Sequence, residues 1–120
     1  MKDDNLEIKM ITEEINAALK IDKVKSDYNF IIGEFVQSPN TLGCIKRNGK
    51  WYMYRTDEKN FCIFNGPFNV KGIIYSCALK LGIAKQLKKY EFTEEEFDIF
   101  VDNHFRSFEE IDRYDKNKNI

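Results

Sequence analysis

A short turn sequence, Asn48-Gly49, constrains the fold of this chain more than any other feature. It lies between two β-prone runs, Leu42–Arg47 and Lys50–Thr56. A two-residue type I′ turn needs positive φ at both positions, which asparagine and glycine tolerate, so the sequence predicts a tight β-hairpin. This turn also fixes the register of the two strands. In that register Arg47 opposes Lys50, Ile45 opposes Tyr52, and Cys44 opposes Met53.

Two further β-prone runs flank the predicted hairpin. Phe30–Val36 comes before the turn cluster Ser38-Pro39-Asn40, and Phe61–Asn65 follows a short polar loop. Gly66-Pro67 is then expected to break the last of these strands. The simplest topology that joins the four runs is a four-stranded antiparallel β-meander.

Helical periodicity brackets the predicted sheet on both sides. Apolar residues recur on one helical face over about residues 5–20, and again from about Asn69 to Leu81, where Gly82 is placed to end the helix. Thr93 is expected to open a last helix that reaches about Asp112, with His104 packed on its apolar face, while residues 83–89 fit either a short turn or a continuation. We therefore predict an α+β fold, a four-stranded antiparallel β-meander packed with one N-terminal helix and two C-terminal helices.

Length and composition exclude several classes of protein. The 120 residues, at 14.2 kDa, predict a single domain over 1–120, with loose ends at about 1–4 and 115–120. No apolar run is long enough to span a membrane, and the N-terminus lacks the apolar core of a signal peptide, so we expect a cytoplasmic protein. Three cysteines without a CxxC pair, one histidine and no glycine-rich phosphate loop predict a protein without catalysis, metal or cofactor.

The charge of the chain is split between its two parts. The net charge is −1, but residues 1–90 carry a balance of +5 and residues 91–120 a balance of −6. Such a split argues against generic nucleic-acid binding, which needs a basic excess over the whole domain. The acidic end is expected either to meet a basic partner or to fold back on the basic part of its own chain.

Both faces of the predicted hairpin carry large side chains. Ile45, Tyr52 and Tyr54 share one face, and Cys44, Met53 and Trp51 share the other. Either helices cover both faces and these aromatics are core, or one face stays open for a partner; an open face would also allow a homodimer through the sheet. Basic residues alternate with the aromatics and could stack single-stranded bases, although the sequence pattern of an RNA-recognition sheet is absent.

Three stretches together resemble small immunity proteins of bacterial polymorphic-toxin systems. They are Phe30-Ile31-Ile32-Gly33-Glu34-Phe35, then Leu42-Gly43-Cys44-Ile45, then the strand from Gly49 to Glu58 with its Trp-Tyr-Met-Tyr run. The resemblance covers about residues 28–82. It implies a cytoplasmic protein without catalysis that binds and blocks the toxic C-terminal domain of a partner toxin.

A partner-binding surface follows from this resemblance as a hypothesis. We expect aromatic anchors on the hairpin and selecting charges at its end or on the last helix. The anchors are Trp51, Tyr52 and Tyr54; the charges are Arg55, Asp57 and Glu58, or Glu94, Glu95, Asp98, Asp102 and Glu109. Two alternatives remain, namely a regulatory domain that binds a protein other than a toxin, and a single-stranded nucleic-acid binder that uses the hairpin.

Overall fold

The computed structural model describes residues 2–22, 28–91, 93 and 103–118 and has an α+β fold built on one mixed sheet. The five strands lie side by side in chain order. Along the chain the elements are α1 (Lys2–Asp22), β1 (Asn29–Ile32), β2 (Thr41–Arg47), β3 (Lys50–Thr56), β4 (Cys62–Phe68), α2 (Val70–Leu81), a 3₁₀ helix (Ala84–Tyr90), β5 (His104–Phe105) and α3 (Phe108–Lys118). The α+β class is confirmed, whereas the number and direction of the strands differ from the prediction.

The central hairpin has the predicted turn and register. Asn48 and Gly49 have φ values of 55° and 78°, as a type I′ turn requires. Between β2 and β3, Arg47 pairs with Lys50, Ile45 with Tyr52, and Cys44 with Met53. Local turn chemistry was therefore sufficient to predict the centre of the sheet.

The first strand runs parallel to β2, so the predicted antiparallel meander is wrong at this point. Asn29 pairs with Thr41 and Ile32 with Cys44. The strand ends because Gly33 takes a φ of +87°, and its N–H donates to the Cys44 carbonyl at 2.7 Å. Residues 33–40 then cross back over the sheet to the start of β2, where the predicted strand would have continued to Val36.

A β-bulge carries β4 past the expected break at Gly66-Pro67. Trp51 pairs with Phe68 and Met53 with Asn65, so β4 has one more residue than β3 between these two pairs. The bulge accommodates the proline, which has no N–H to give to the ladder. The prediction that Gly66-Pro67 ends the strand is therefore wrong.

The fifth strand lies where we predicted the middle of the last helix. Phe64 pairs with Phe105 and Asn65 with His104, so these residues extend the sheet. Strand alternation buries Phe105 and leaves His104 exposed, which corrects the prediction of a core histidine. The rest of the predicted helix from Thr93 falls largely on residues 94–102, which lie outside the described residues.

The two helices α1 and α2 form the first core against the sheet. The predicted stripes of α1 and α2 are buried, with Ile11, Ile15, Ile73 and Ile74 all at 0% exposure. The α2 helix has the predicted ends, because the Asn69 side chain accepts from the Gly72 N–H at 2.8 Å and Gly82 takes the left-handed conformation. Within this core lie Cys44, Trp51 and Met53, from one face of the hairpin.

A second core covers the opposite face of the sheet. It consists of buried side chains from β2, β3, β4, β5 and α3, with partly buried aromatics around them. Phe35, on the 33–40 crossover, makes ring contacts with Tyr54, Phe64 and Phe108 at centroid distances of 4.9–5.5 Å. The buried members are Ile45, Tyr52, Tyr54, Phe64, Phe105 and Ile111. Because both faces are covered, the hairpin aromatics do not form an open face, and the part of the chain that the structure describes offers no aromatic sheet face for the homodimer that was considered.

The acidic last helix folds back on the basic hairpin. Asp115 is only 4% exposed and accepts from the Tyr52 hydroxyl at 3.0 Å. Arg47 donates two hydrogen bonds to Asp112, at 2.9 and 2.8 Å, and Asn48 bridges both carboxylates. For Asp112 and Asp115, the structure shows the intramolecular alternative. Residues 115–118 therefore belong to an ordered helix, not to the loose end that we expected.

Substitution of Gly43 tests the packing of the second core. An added Cβ would clash with the Tyr54 ring, and that ring is held by hydrogen bonds of its hydroxyl with Glu34 and Val36. We expect Gly43→Ala to lower the free energy of unfolding by about 1–3 kcal/mol in urea denaturation, through overpacking. In a Tyr54→Ala background the same change should cost almost nothing; an equal cost in both backgrounds would contradict the proposed clash.

Acid titration tests the contact between α3 and the hairpin. Hydrogen bonds from Arg47 and Asn48 lower the pKa of Asp112 to about 2. This carboxylate therefore stabilises the folded state above its ordinary pKa, and the contribution is lost as the pH falls towards 2. We expect urea denaturation of the wild type to show this acid-dependent loss and Asp112→Asn to show a smaller one. Identical pH profiles would show that the pair does not contribute.

Candidate functional site

The three aromatic residues predicted to anchor a partner are buried in the two cores. Trp51 is 2% exposed and lies under α1, with Glu7 3.4 Å from its indole nitrogen. Tyr52 and Tyr54 are fully buried on the other face, where their hydroxyls are hydrogen-bonded to Asp115 and to the Glu34 carbonyl. The prediction that they form the contact surface is wrong, and the alternative that they are core holds. Their hydroxyls are satisfied because an unpaired polar group at such depth is costly.

Three of the four basic residues of the hairpin are also paired within the chain. Lys46 donates to Glu7 at 2.7 Å, Arg47 pairs with Asp112 at 2.8 Å, and Lys50 approaches Asp115 at 3.4 Å. With these three cations facing carboxylates of their own chain, the hairpin offers less net positive charge to a phosphate backbone than its sequence indicates. This geometry weighs against the single-stranded nucleic-acid alternative.

The acidic candidates of the last helix are only partly within the structure. Glu94, Glu95, Asp98 and Asp102 lie outside the described residues. Glu109 stands exposed in the first turn of α3, with Arg113 4.0 Å away on the same helix. A role for these five carboxylates in selecting a partner stays a prediction.

The charges predicted at the end of the hairpin do lie together, beside an apolar surface that we did not predict. Arg55 stands directly opposite Ile63 in the β3–β4 pairing. The Asp57 carboxylate accepts from the N–H groups of Lys59 and Phe61, both at 2.9 Å, and so closes the turn that leads into β4. Glu58 is exposed on the same turn.

Phe61 and Ile63 form an exposed apolar pair at the start of β4. They are 69% and 37% exposed, and strand alternation places them on the same face. On the side of β4 away from β3, the two residues of β5 pair with Phe64 and Asn65. Among the residues that the structure describes, none pairs with β4 before Phe64 on this side, so the beginning of β4 is an open sheet edge there, the part of a sheet where other chains can add.

A groove runs along this open edge. Its volume is about 580 Å³, and it lies between the first residues of β4 and the segment that joins β5 to α3. We call it the β4-edge groove. Residues Phe61–Phe64 line one side and Arg106–Phe108 the other, together with Phe35, Gln37 and Asn60. Its surface is therefore mainly aromatic and aliphatic, with one charged side chain, Arg106.

The chemistry of the groove suits recognition. Burial raises the pKa of the Cys62 thiol to about 11, so this thiol is a poor nucleophile near neutral pH.

Among the residues that the structure describes, no group of His, Cys, Asp and Glu could hold a metal ion. The described helices also include none that is long and apolar enough to cross a bilayer.

Comparison with known proteins identified no relative of this chain. Searches against protein-family models, curated proteins and solved structures returned no match for the chain. The site is therefore interpreted from its own residues.

Only part of this groove could be predicted from the sequence. Phe61–Asn65 was predicted as a strand, but its apolar residues fall on both faces, so alternation did not indicate which of them would be exposed. The exposure of Phe61 depends on the length of β5, which we had predicted as helix. Arg106 was missed for the same reason.

Alkylation provides a test of the groove. With a pKa near 11 against an ordinary value of 9.0, Cys62 has a thiolate fraction about 100-fold lower than a free thiol at pH 8. We expect iodoacetamide to modify Cys62 slowly, and the buried Cys44 and Cys77 more slowly still. Peptide mass spectrometry gives the three rates, and urea-unfolded protein serves as the control. Equal rates for all three cysteines in the folded protein would contradict the described burial.

Proposed function

We propose that the protein is a non-catalytic immunity protein that binds the toxic domain of a bacterial toxin through the β4-edge groove. The single observation that carries the choice of surface is Phe61, an aromatic side chain left 69% exposed beside a groove at an open sheet edge. The partner class, and action in the cytoplasm, come from the sequence resemblance.

Several physical properties of the groove support a protein as its occupant. Large aromatic side chains and arginine are the residues that most often dominate binding energy at interfaces. Phe61 is set by the Asp57 turn and Ile63 by ladder pairing, so little conformational entropy is lost when a partner binds. A groove of this size would hold only the centre of a standard interface, which buries roughly 1,600 Å².

The charges around the groove suit the selection of a partner. Asp57 and Glu58 are exposed on the β3–β4 turn, which leads into the groove at Asn60 and Phe61, and exposed charges near an interface mainly affect association rate and specificity. An immunity protein has to hold its toxin for longer than the toxin needs to act, so we expect nanomolar or tighter affinity. The protein would block the toxin by covering part of its surface, which requires no catalysis by this chain.

Neutralisation of a toxin tests the proposal directly. The chain is co-expressed with the C-terminal domain of a large polypeptide that co-purifies with it from its host, and colony counts are compared with and without it. We expect wild type to restore growth and to form a stable complex with that domain. Absence of rescue, with both proteins produced in folded form, would contradict the immunity function and favour a partner other than a toxin.

A charge in place of Phe61 tests the location of the site. We expect Phe61→Asp to weaken the complex by more than about 2 kcal/mol, roughly 30-fold in Kd, measured by isothermal titration. The matched control is Leu79→Asp, because Leu79 is 53% exposed on α2 and does not line the groove. Equal loss in both variants, or no loss in Phe61→Asp, would exclude the groove as the centre of the interface.

A further inference from the structure

The segment that forms part of the wall of the β4-edge groove has no regular secondary structure. This segment is the 33–40 crossover between β1 and β2, and it includes Phe35, which lines the groove. Most of its residues are exposed, whereas Phe35 packs on the second core with its ring 5.5 Å from Phe64 and 5.0 Å from Phe108. A wall on such a segment keeps its position only where other groups fix the main chain.

The sheet fixes the crossover at both of its ends. At the start, the Gly33 N–H donates to the Cys44 carbonyl at 2.7 Å. At the end, the Asn40 N–H donates to the Asp57 carbonyl at 3.1 Å. Residues 34–37 lie between these ends and belong to no helix or strand, so their position depends on other contacts.

A single hydroxyl holds the middle of the crossover. Tyr54 donates from its hydroxyl to the Glu34 carbonyl at 2.9 Å and accepts from the Val36 N–H at 3.1 Å. Among the residues that the structure describes, these are the only hydrogen bonds made by the main chain of residues 34–37. The two bonded groups belong to the peptide units on either side of Phe35, so the hydroxyl fixes the main chain that orients this ring.

The sheet in turn fixes the position of Tyr54. This residue lies on β3, is fully buried and stands opposite Gly43, which has no side chain to occupy the space of the ring. Its ring makes an edge-to-face contact with Phe35 at a centroid distance of 4.9 Å. Tyr54 does not itself line the groove, so it can act on a bound partner only through Phe35.

We propose that Tyr54 is a positioning residue of the β4-edge groove, whose hydroxyl holds Phe35 in the orientation that the partner binds. This inference rests on the proposed function and identifies what keeps the groove preformed. Without the hydroxyl, residues 34–37 would take several conformations in the free protein, and the partner would bind only the fraction with Phe35 in place. The apparent Kd would rise by the inverse of that fraction.

Amide hydrogen exchange tests the role of the hydroxyl in the free protein. We expect the Val36 amide of the ¹⁵N-labelled chain to exchange about tenfold faster in Tyr54→Phe, because this substitution removes its acceptor and keeps the ring. Glu34 and Val36 are exposed, so water can replace the lost hydrogen bonds and the variant should fold. The matched control is Tyr52→Phe, since the Tyr52 hydroxyl binds Asp115 and not the crossover, and this change should leave Val36 exchange unaltered.

A double-mutant cycle tests whether Tyr54 acts on the partner through Phe35. The probe is the toxin domain of the co-expression experiment, titrated calorimetrically with each variant. We expect Tyr54→Phe to raise the Kd about tenfold in the wild-type background and less than about twofold in a Phe35→Ala background. Ile73→Val, which lowers stability from within the first core, should leave the Kd unchanged. An equal rise of the Kd in both backgrounds, or unaltered Val36 exchange in Tyr54→Phe, would overturn the proposal.

The inference and the proposed function can fail separately. If Phe61→Asp weakens the complex with the toxin domain but Tyr54→Phe does not, the groove is the interface and the positioning role of Tyr54 is wrong. If Phe61→Asp leaves the complex unaffected, the proposed site fails whatever the exchange of Val36 shows. A chain that forms no complex at all would contradict the proposed function, and the role of Tyr54 in binding would fall with it.

Discussion

Two buried tyrosine hydroxyls hold the second face of the sheet together. Tyr54 donates to the Glu34 carbonyl and accepts from the Val36 N–H, which fixes the crossover that carries Phe35. Tyr52 donates to Asp115, which fixes α3. Because both hydroxyls come from β3, the strand at the centre of the sheet positions the crossover on one side and the last helix on the other. The β4-edge groove, which Phe35 and Phe108 both line, is a consequence of where these two segments are held.

The parts of the fold that sequence could predict are those governed by local chemistry. Asn48-Gly49 predicted the hairpin and its register, and the caps at Asn69 and Gly82 predicted α2. The parallel first strand could not be predicted, because nothing local distinguishes a strand that turns back at Gly33 from one that continues. The stripe through His104, Phe105 and Phe108 satisfied a helical period, but the open edge of β4 competed for the same residues and took two of them as a strand.

The candidate site also combines residues whose exposure follows from local sequence with residues whose exposure depends on the rest of the fold. The exposure of Asp57 and Glu58 could be predicted because a turn between two strands is exposed in almost any fold, whereas their role, like that of Arg55, stays a prediction. Trp51, Tyr52 and Tyr54 were mistaken for anchors because exposure depends on how many layers cover a sheet, and the sequence suggested too few helices for two faces. Phe61 is the reverse case, since it was predicted as an ordinary strand residue but lies just before β4, next to a part of the strand that the two residues of β5 do not reach.

The second core can be completed only after a long stretch of the chain has been synthesised. Its aromatics on β3 and β4 are made early, while the residues that cover them, Phe105 and Ile111, lie about 40 to 60 positions later in the chain. Of the described residues that come earlier in the chain, Phe35 packs over Tyr54 and Phe64, whereas Phe105 and Asp115, which contact Tyr52, are made later. A nascent or prematurely terminated chain would thus present an aromatic sheet face to other chains, the kind of surface that chaperones bind and that aggregation recruits. Asp112 and Asp115 of α3, which close this face, are made more than 60 positions after their partners Arg47 and Tyr52, so the solubility of the nascent chain depends on residues that are synthesised much later than the sheet.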